Sequence, residues 1–182
     1  MAEAFSNKLT RAAGIVTTSS SGSVGITTTI ITGISTVGVA VSDLVDNANF
    51  IAGTKVTGYG DAASQVVVDQ TSTNTAAVSG SAVVNFLGMT TAYTSAAATK
   101  SILIGGTFAN NTTSSVNLTV EIHDASAGIQ AALASKIPVP TGSSFVISDA
   151  GKSVLEATDE IRVFCDTANA IDVNLSILTG VS

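Results

Sequence analysis

The chain has 182 residues, 45% of them hydrophobic and only 11% charged, against about 25% charged in an average soluble domain. Seven Lys and Arg against thirteen Asp and Glu leave a formal charge of −6, which repels a phosphate backbone and argues against nucleic acid as a partner. A mean hydropathy of +0.49 excludes disorder, which needs low hydrophobicity with high net charge.

Serine and threonine make up the polar deficit, with 23 Ser and 25 Thr beside 16 Gly and 2 Pro. A chain of this length forms one domain or two small ones and buries roughly 70% of its unfolded surface. Met1-Ala-Glu-Ala-Phe opens with an acidic residue and no unbroken apolar run follows, so no secretory signal is expected. The 31 residues Ala12 to Ser42 carry no charge. They are too interrupted by Thr, Ser and Gly to span a bilayer, and no membrane association is expected. Cys165 is the only cysteine, which excludes an intrachain disulfide. Its place in Ile161-Arg-Val-Phe-Cys predicts a buried, inert thiol and, with the missing signal, manufacture in a reducing cytoplasm.

Residues 1–13 read as a separate N-terminal arm. Phe5 and Leu9 lie four apart, and Lys8 and Arg11 supply positive charge. These four residues are the candidate assembly site, docking on a neighbouring subunit as one helical turn or as extended chain. Deleting residues 1–12 is then expected to leave the fold intact and to weaken assembly.

Residues 14–88 read as a small β-barrel or sandwich module. Gly25–Thr32 (GITTTIIT) is dense in β-branched residues that suit a pleated surface. Gln65-Val-Val-Val-Asp and Ala82-Val-Val-Asn-Phe-Leu are short apolar runs bounded by Ser, Thr and Gly. Gly53, Gly58 and Gly60 mark turns around Thr54-Lys-Val-Thr.

Residues 89–182 read as an antiparallel β-sandwich of seven or eight strands. Val116, Leu118, Val120 and Ile122 occupy alternate positions, which only a period of two gathers on one face. Ile161, Val163 and Cys165 repeat the pattern, as do Ile171, Val173, Leu175 and Ile177. Gly128 to Ile137 is rich in Ala and Leu, which favour helix, but the prolines at 138 and 140 tip it towards strand or loop. Gly142-Ser-Ser-Phe-Val-Ile-Ser leads into a further strand, and Asp149-Ala-Gly reads as a turn before another at Lys152-Ser-Val-Leu-Glu. The formal charges of the three segments are +1, −3 and −4, so neither large segment is basic.

No catalytic constellation emerges, and no enzyme activity, metal or cofactor is expected. His123 is the only histidine, so no His-based metal cluster can form. A triad drawn from His123, Asp124 and a serine lacks the G-x-S-x-G elbow. Asp159 and Glu160 are adjacent, so on a strand they face opposite ways and cannot share a substrate. Asp43, Asp46 and Asn47 could offer oxygens to calcium, but the order of an EF-hand loop is missing and a hydrogen-bonded turn explains them more simply. Gly58-Tyr-Gly60 lacks the third glycine of a dinucleotide loop. The four Asn sequons beginning at Asn110, Asn111, Asn117 and Asn174 are expected by chance in so Thr-rich a chain.

Two segments carry a family resemblance. Ile31-Thr-Gly-Ile-Ser-Thr-Val-Gly-Val-Ala-Val-Ser-Asp-Leu-Val-Asp, followed by Ile51-Ala-Gly-Thr-Lys-Val, resembles a small β-module of phage tail and other virion proteins. There a glycine-punctuated run precedes an I-P-A-G-T-x-V turn. Ala52 stands here where that pattern has proline, and Ser42 where it has glycine. The second half is similar to a single-sandwich virion protein of cyanophages and related tailed phages. The likeness rests on Ala92-Tyr-Thr-Ser, Thr107-Phe-Ala-Asn-Asn-Thr, Lys136-Ile-Pro-Val-Pro-Thr-Gly-Ser-Ser, Val154-Leu-Glu-Ala and Asp172-Val-Asn-Leu-Ser-Ile-Leu.

The resemblance implies a non-enzymatic virion structural protein, made in the host cytoplasm and contacting itself and other virion proteins. Its expected role is capsid decoration or cement beside the major capsid protein. The alternatives are a tail, neck or baseplate adaptor and, in another class, a carbohydrate-binding or host-adhesion module.

Overall fold

The structure, a computed structural model, describes residues 3–148 and 152–181, and of residues 18–20 the backbone only. The turn expected at Asp149-Ala-Gly lies outside the described residues. Among the described residues every regular element is a strand. In chain order these are β1 (Ala4–Ala13), β2 (Ile15–Val24), β3 (Ile30–Thr32), β4 (Leu44–Asp46), β5 (Val56–Tyr59), β6 (Gln65–Val68), β7 (Val78–Gly88) and β8 (Thr90–Thr94). They continue with β9 (Lys100–Asn110), β10 (Val116–Asp124), β11 (Ile129–Val139), β12 (Ser144–Ile147), β13 (Ser153–Leu155), β14 (Glu160–Cys165) and β15 (Ile171–Val181). The chain forms two compact units, Ile15–Met89 and a second made of Met1–Gly14 with Thr90–Ser182.

The division after Met89 lies next to the boundary drawn near Gly88 from the change in alternation, but residues 1–13 group with Thr90–Ser182 and are not a separate piece. They form β1, which pairs antiparallel with β15 from Ala4↔Thr179 to Ala13↔Ile171. The all-β class holds throughout. Against the expected seven or eight strands after residue 89, the described residues form eight, β8 to β15.

The second unit folds like one long hairpin whose turn lies between β10 and β11. β10 pairs with β11, β9 with β12, β8 with β14 and β1 with β15, all antiparallel. This ribbon wraps so that β15 also pairs with β9 and β14 with β10. One sheet then runs β1-β15-β9-β12, with β13 also on β9, and the other runs β11-β10-β14-β8. That strand order is the eight-stranded jelly roll, a sandwich of two Greek keys.

Alternation explains the jelly-roll core. Leu118, Val120 and Ile122 of β10 lie opposite Cys165, Val163 and Ile161 of β14, so their apolar faces coincide. Val173 and Ile177 of β15 meet Phe108 and Leu103 of β9 in the same way. Leu103, Phe108, Leu118, Val120, Ile161, Val163, Leu175 and Ile177 are all fully buried. At Gly106, opposite Leu175, a Cβ would come within 2.7 Å of the end of the buried Leu175 side chain, which would have to shift to admit it. β11 is a strand through Pro138, which an edge strand tolerates because its N–H would face away from the sheet.

Serine and asparagine work inside the fold as partners for polar groups. The Ser95 and Ser101 hydroxyls lie 3.0 Å apart, and Tyr93 Oη is 2.8 Å from Ser101 Oγ. Asn110 donates to Ser114 O and Val139 O and accepts from Thr112 N–H and Oγ1–H, leaving no side-chain group unsatisfied.

The Ile15–Met89 unit is a six-stranded sheet in the order β4-β7-β2-β3-β6-β5. Its two ends are joined by Ser42 N–H to Val56 O, Val56 N–H to Asp43 O and Val45 N–H to Thr54 O, so the sheet curls into a small barrel. Val24, Ile31, Ile34, Val66, Val84 and Phe86 fill its interior. The GITTTIIT segment is strand only from Ile30. Thr27 has a positive φ of 49°, and Ser72 pins the loop by accepting from Thr28 N–H and donating to Gly25 O. Gly58 lies within β5 at a register shift and is not a turn, whereas Gly53, at φ 91°, is one.

Candidate assembly surface

β1 is the outermost strand of its sheet, and its partner fixes which way its side chains face. Ser6, Lys8 and Thr10 lie opposite Ile177, Leu175 and Val173, whose side chains enter the core. Phe5, Asn7 and Leu9 therefore project from the outer face. The four residues singled out from sequence do not form one face: Phe5 and Leu9 share the outer side, where Arg11 also belongs by parity, and Lys8 lies on the other. The segment is extended and not a helical turn.

On the outer face Phe5 begins a lateral apolar row. It sits beside Leu178, Leu178 beside Ile102, and Ile102 beside Val154 of β13. Phe5 is 65% exposed and Val154 57%. A second row runs Leu9, Asn174, Thr107, Val146, with Leu9 73% exposed. Neither row contains a charge. Sequence reading found only the β1 members. Ile102 and Leu178 were signalled by Ser101-Ile-Leu-Ile and Ser176-Ile-Leu, since successive apolar residues on a strand place apolar groups on both faces. Arg11 lines one end of this surface in a shallow depression of about 330 Å³, together with Asp172 and Asn174. Asp172 is engaged there, accepting from Ala12 N–H at 2.9 Å and Asn111 Nδ2 at 3.3 Å.

The groups considered for chemistry are used structurally. Asp124 caps its own turn. It accepts from Ala127 N–H, Ser126 Oγ–H and Ser126 N–H, all on Oδ1, and these bonds hold its carboxyl below the usual value. Asp159 accepts from Ala125 N–H and Glu156 N–H, while Glu160 pairs with Arg162 at 2.7 Å. The adjacent carboxylates thus point to different partners. Burial pushes the Cys165 thiol up to about 11, so at neutral pH it is the unreactive thiol, not the thiolate. Among the described residues no group of three His, Cys, Asp or Glu is placed to hold a metal ion.

Asp43 closes a turn, accepting from Ala40 N–H at 2.8 Å while its own N–H donates to Ala40 O. It is 5% exposed, and burial raises its pKa above 3.8 against the lowering effect of the Ala40 bond. The folded barrel therefore holds this proton more tightly than the unfolded chain does. Ionisation of Asp43 costs stability, a cost absent below the unfolded value of 3.8 and complete above the raised folded value. Asp43→Asn is expected to raise the barrel's thermal midpoint at pH 7 and to leave it unchanged near pH 3. Equal shifts at both pH values, measured by calorimetry, would refute that account.

Comparison with protein-family models, curated proteins and solved structures finds no match to this chain.

Proposed function

We propose that this chain is a non-enzymatic virion structural protein that acts through subunit contacts, most specifically a capsid decoration or cement protein. The observation that carries the reading is the jelly roll with an exposed apolar row across its outer sheet face, made of Phe5, Leu178, Ile102 and Val154. Jelly rolls recur in viral capsid proteins, and also in lectins and cupins, so the fold alone does not choose among these uses. An exposed apolar sheet face favours the use in which neighbouring subunits cover it. The phage-like segments agree with this, and so does a composition with only 11% charged residues. The partners in this reading are further copies of the chain and other virion proteins, the major capsid protein first, in particles assembled in the host cytoplasm.

A tail, neck or baseplate position is the second reading. The turn at Ile51–Thr54 supports it, with Thr54 N–H donating to Ile51 O and Gly53 at φ 91°, where the tail-type module has its turn. Carbohydrate binding draws less support. Phe50, Phe86, Phe108 and Phe164 are buried, and the two most exposed aromatic rings, Phe5 and Tyr59, belong to different units, so they do not make one platform.

Quantitative mass spectrometry of purified virions tests the reading. Copies should scale with the major capsid protein. A count of about six to twelve, as ring symmetry dictates, would move the chain to the tail or neck. Its absence from virions would overturn the proposal.

A further inference from the structure

We propose that β1 pairs with β1 of a second copy across a two-fold axis at Asn7, joining the two β1-β15-β9-β12 sheets into one continuous sheet. This makes specific the self-association in the reading above, but it rests on the edge strand alone and stands whether or not the chain is a virion part.

Three observations carry it. First, β1 is a ten-residue edge strand, and its neighbours in the chain fold leave much of it open. Ala4, Phe5, Asn7, Lys8 and Leu9 are exposed, and at the far end Thr10 Oγ1 donates to Ala92 O of β8. No proline interrupts β1, and its register with β15 is regular from Ala4 to Thr10. The other long edge, β11, contains Pro138 and has Lys136 at a positive φ of 49°. Both lie inside the stretch that would have to pair, whereas the positive φ of β1, 55° at Ala12, falls just past the residues that pair here.

Second, the strand is complementary to itself. Antiparallel pairing centred on Asn7 sets Phe5 against Leu9 of the second copy, Ser6 against Lys8, Ala4 against Thr10 and Glu3 against Arg11. Apolar thus meets apolar and acid meets base, each pair occurring twice by symmetry. Moving the register by two residues in either direction destroys both matches. It sets Glu3 against Leu9 and Phe5 against Asn7 one way, and Phe5 against Arg11 the other. A shift by one pairs outward residues with inward ones and puts the two cores on opposite sides of the sheet.

Third, the pairing extends a surface already present. Phe5, at the head of its apolar row, would abut Leu9 of the second copy on either side of the axis, so the apolar row of one copy continues into the outer face of the next. The second copy is therefore the occupant that fits this edge in charge, polarity and backbone direction.

Lys8 is the one residue that opposes the pairing. Its ammonium and that of the second copy would lie diagonally, about 7 Å apart between strand positions, on the inward side. Lysine on an edge commonly limits association.

The test is sedimentation equilibrium of the full-length purified protein, with circular dichroism confirming that each variant is folded. The wild type should be a dimer, dissociating on dilution. Glu3→Arg alone and Arg11→Glu alone each turn two attractive pairs into two repulsive ones, and each should weaken the dimer about tenfold or more. The double variant carrying both should return to within about threefold of wild type, and Lys8→Thr should tighten it. A wild-type monomer at roughly 100 μM, or single variants as tightly associated as wild type, would overturn the proposal. So would a double variant as weak as the singles. A rescued dimer that is absent from virions would overturn the functional reading and leave this pairing standing.

Discussion

Excising residues 15–89 and joining Gly14 to Thr90 through a short linker leaves the jelly roll folded. The two ends already meet. Gly14 N–H donates to Thr90 Oγ1 at 3.2 Å, and Gly14 O accepts from Asn169 N–H at 2.9 Å. Ala13 O accepts from Ala170 N–H at 3.0 Å. All of these residues belong to the same unit, so removing the barrel breaks none of the bonds. Gly14 itself must stay, because at φ 117° a Cβ would lie 2.5 Å from Thr167 O. A shorter connection between β1 and β8 also lowers the entropy of closing that loop. The jelly roll's stability should change by less than about 2 kcal/mol. The excised barrel should fold as well, since its first and last strands pair along their length from Ile15↔Gly88. Denaturant melts of the two pieces check this, and a jelly roll without a cooperative transition would refute the insertion.

Deleting residues 1–12, by contrast, abolishes the fold of the jelly roll. The deletion strips β15 of an antiparallel partner from Ala4↔Thr179 to Thr10↔Val173 and leaves the backbone of a former interior strand open. At about 1 kcal/mol net per ladder hydrogen bond, the loss is on the order of 5 kcal/mol. That matches the lower range of a whole domain's stability, roughly 5–15 kcal/mol. Leu175 and Ile177, fully buried, would also lose the strand that flanks them. Single changes at Phe5 or Leu9, 65% and 73% exposed, should cost under about 0.5 kcal/mol. The contrast separates the backbone role of β1 from the surface role of its side chains. A truncated protein with native near-ultraviolet dichroism and an unchanged melting midpoint would show that β1 is dispensable.

This second expectation reverses the one drawn from sequence, in which the segment was an arm that could be removed. The reason lies in particular residues. Val116–Ile122, Ile161–Cys165 and Ile171–Ile177 could be read as strands because every second side chain enters the core, which writes the period into the chain. β1 buries almost nothing of its own: only Ala13 is buried, and Phe5 and Leu9 face outward. An edge strand that contributes backbone instead of side chains leaves no alternating signature. The loop at Gly25–Thr29 misled in the opposite way. Its β-branched residues favour a strand, but Thr27 turns left-handed and Ser72, more than forty residues on, holds the loop. The candidate surface was half legible. Its β1 residues were chosen for mixed polarity near a terminus, while Ile102, Leu178 and Val154 came into view only when neighbouring strands were placed side by side.

What the sequence by itself determined is the local part: an all-β chain, the inward faces of its interior strands, a break near residue 88, and Thr, Ser and Asn in place of charge. Those properties follow from the two-residue period and from composition, which need no knowledge of partners. The tertiary structure alone decided which strand lies beside which. It closed Ala4 onto Thr179, made the 15–89 barrel an insertion between β1 and β8, and gathered the apolar outer rows. Pairing is non-local: it is chosen by which apolar faces can be buried together after long loops have closed, and no window along the chain contains both sides of that choice.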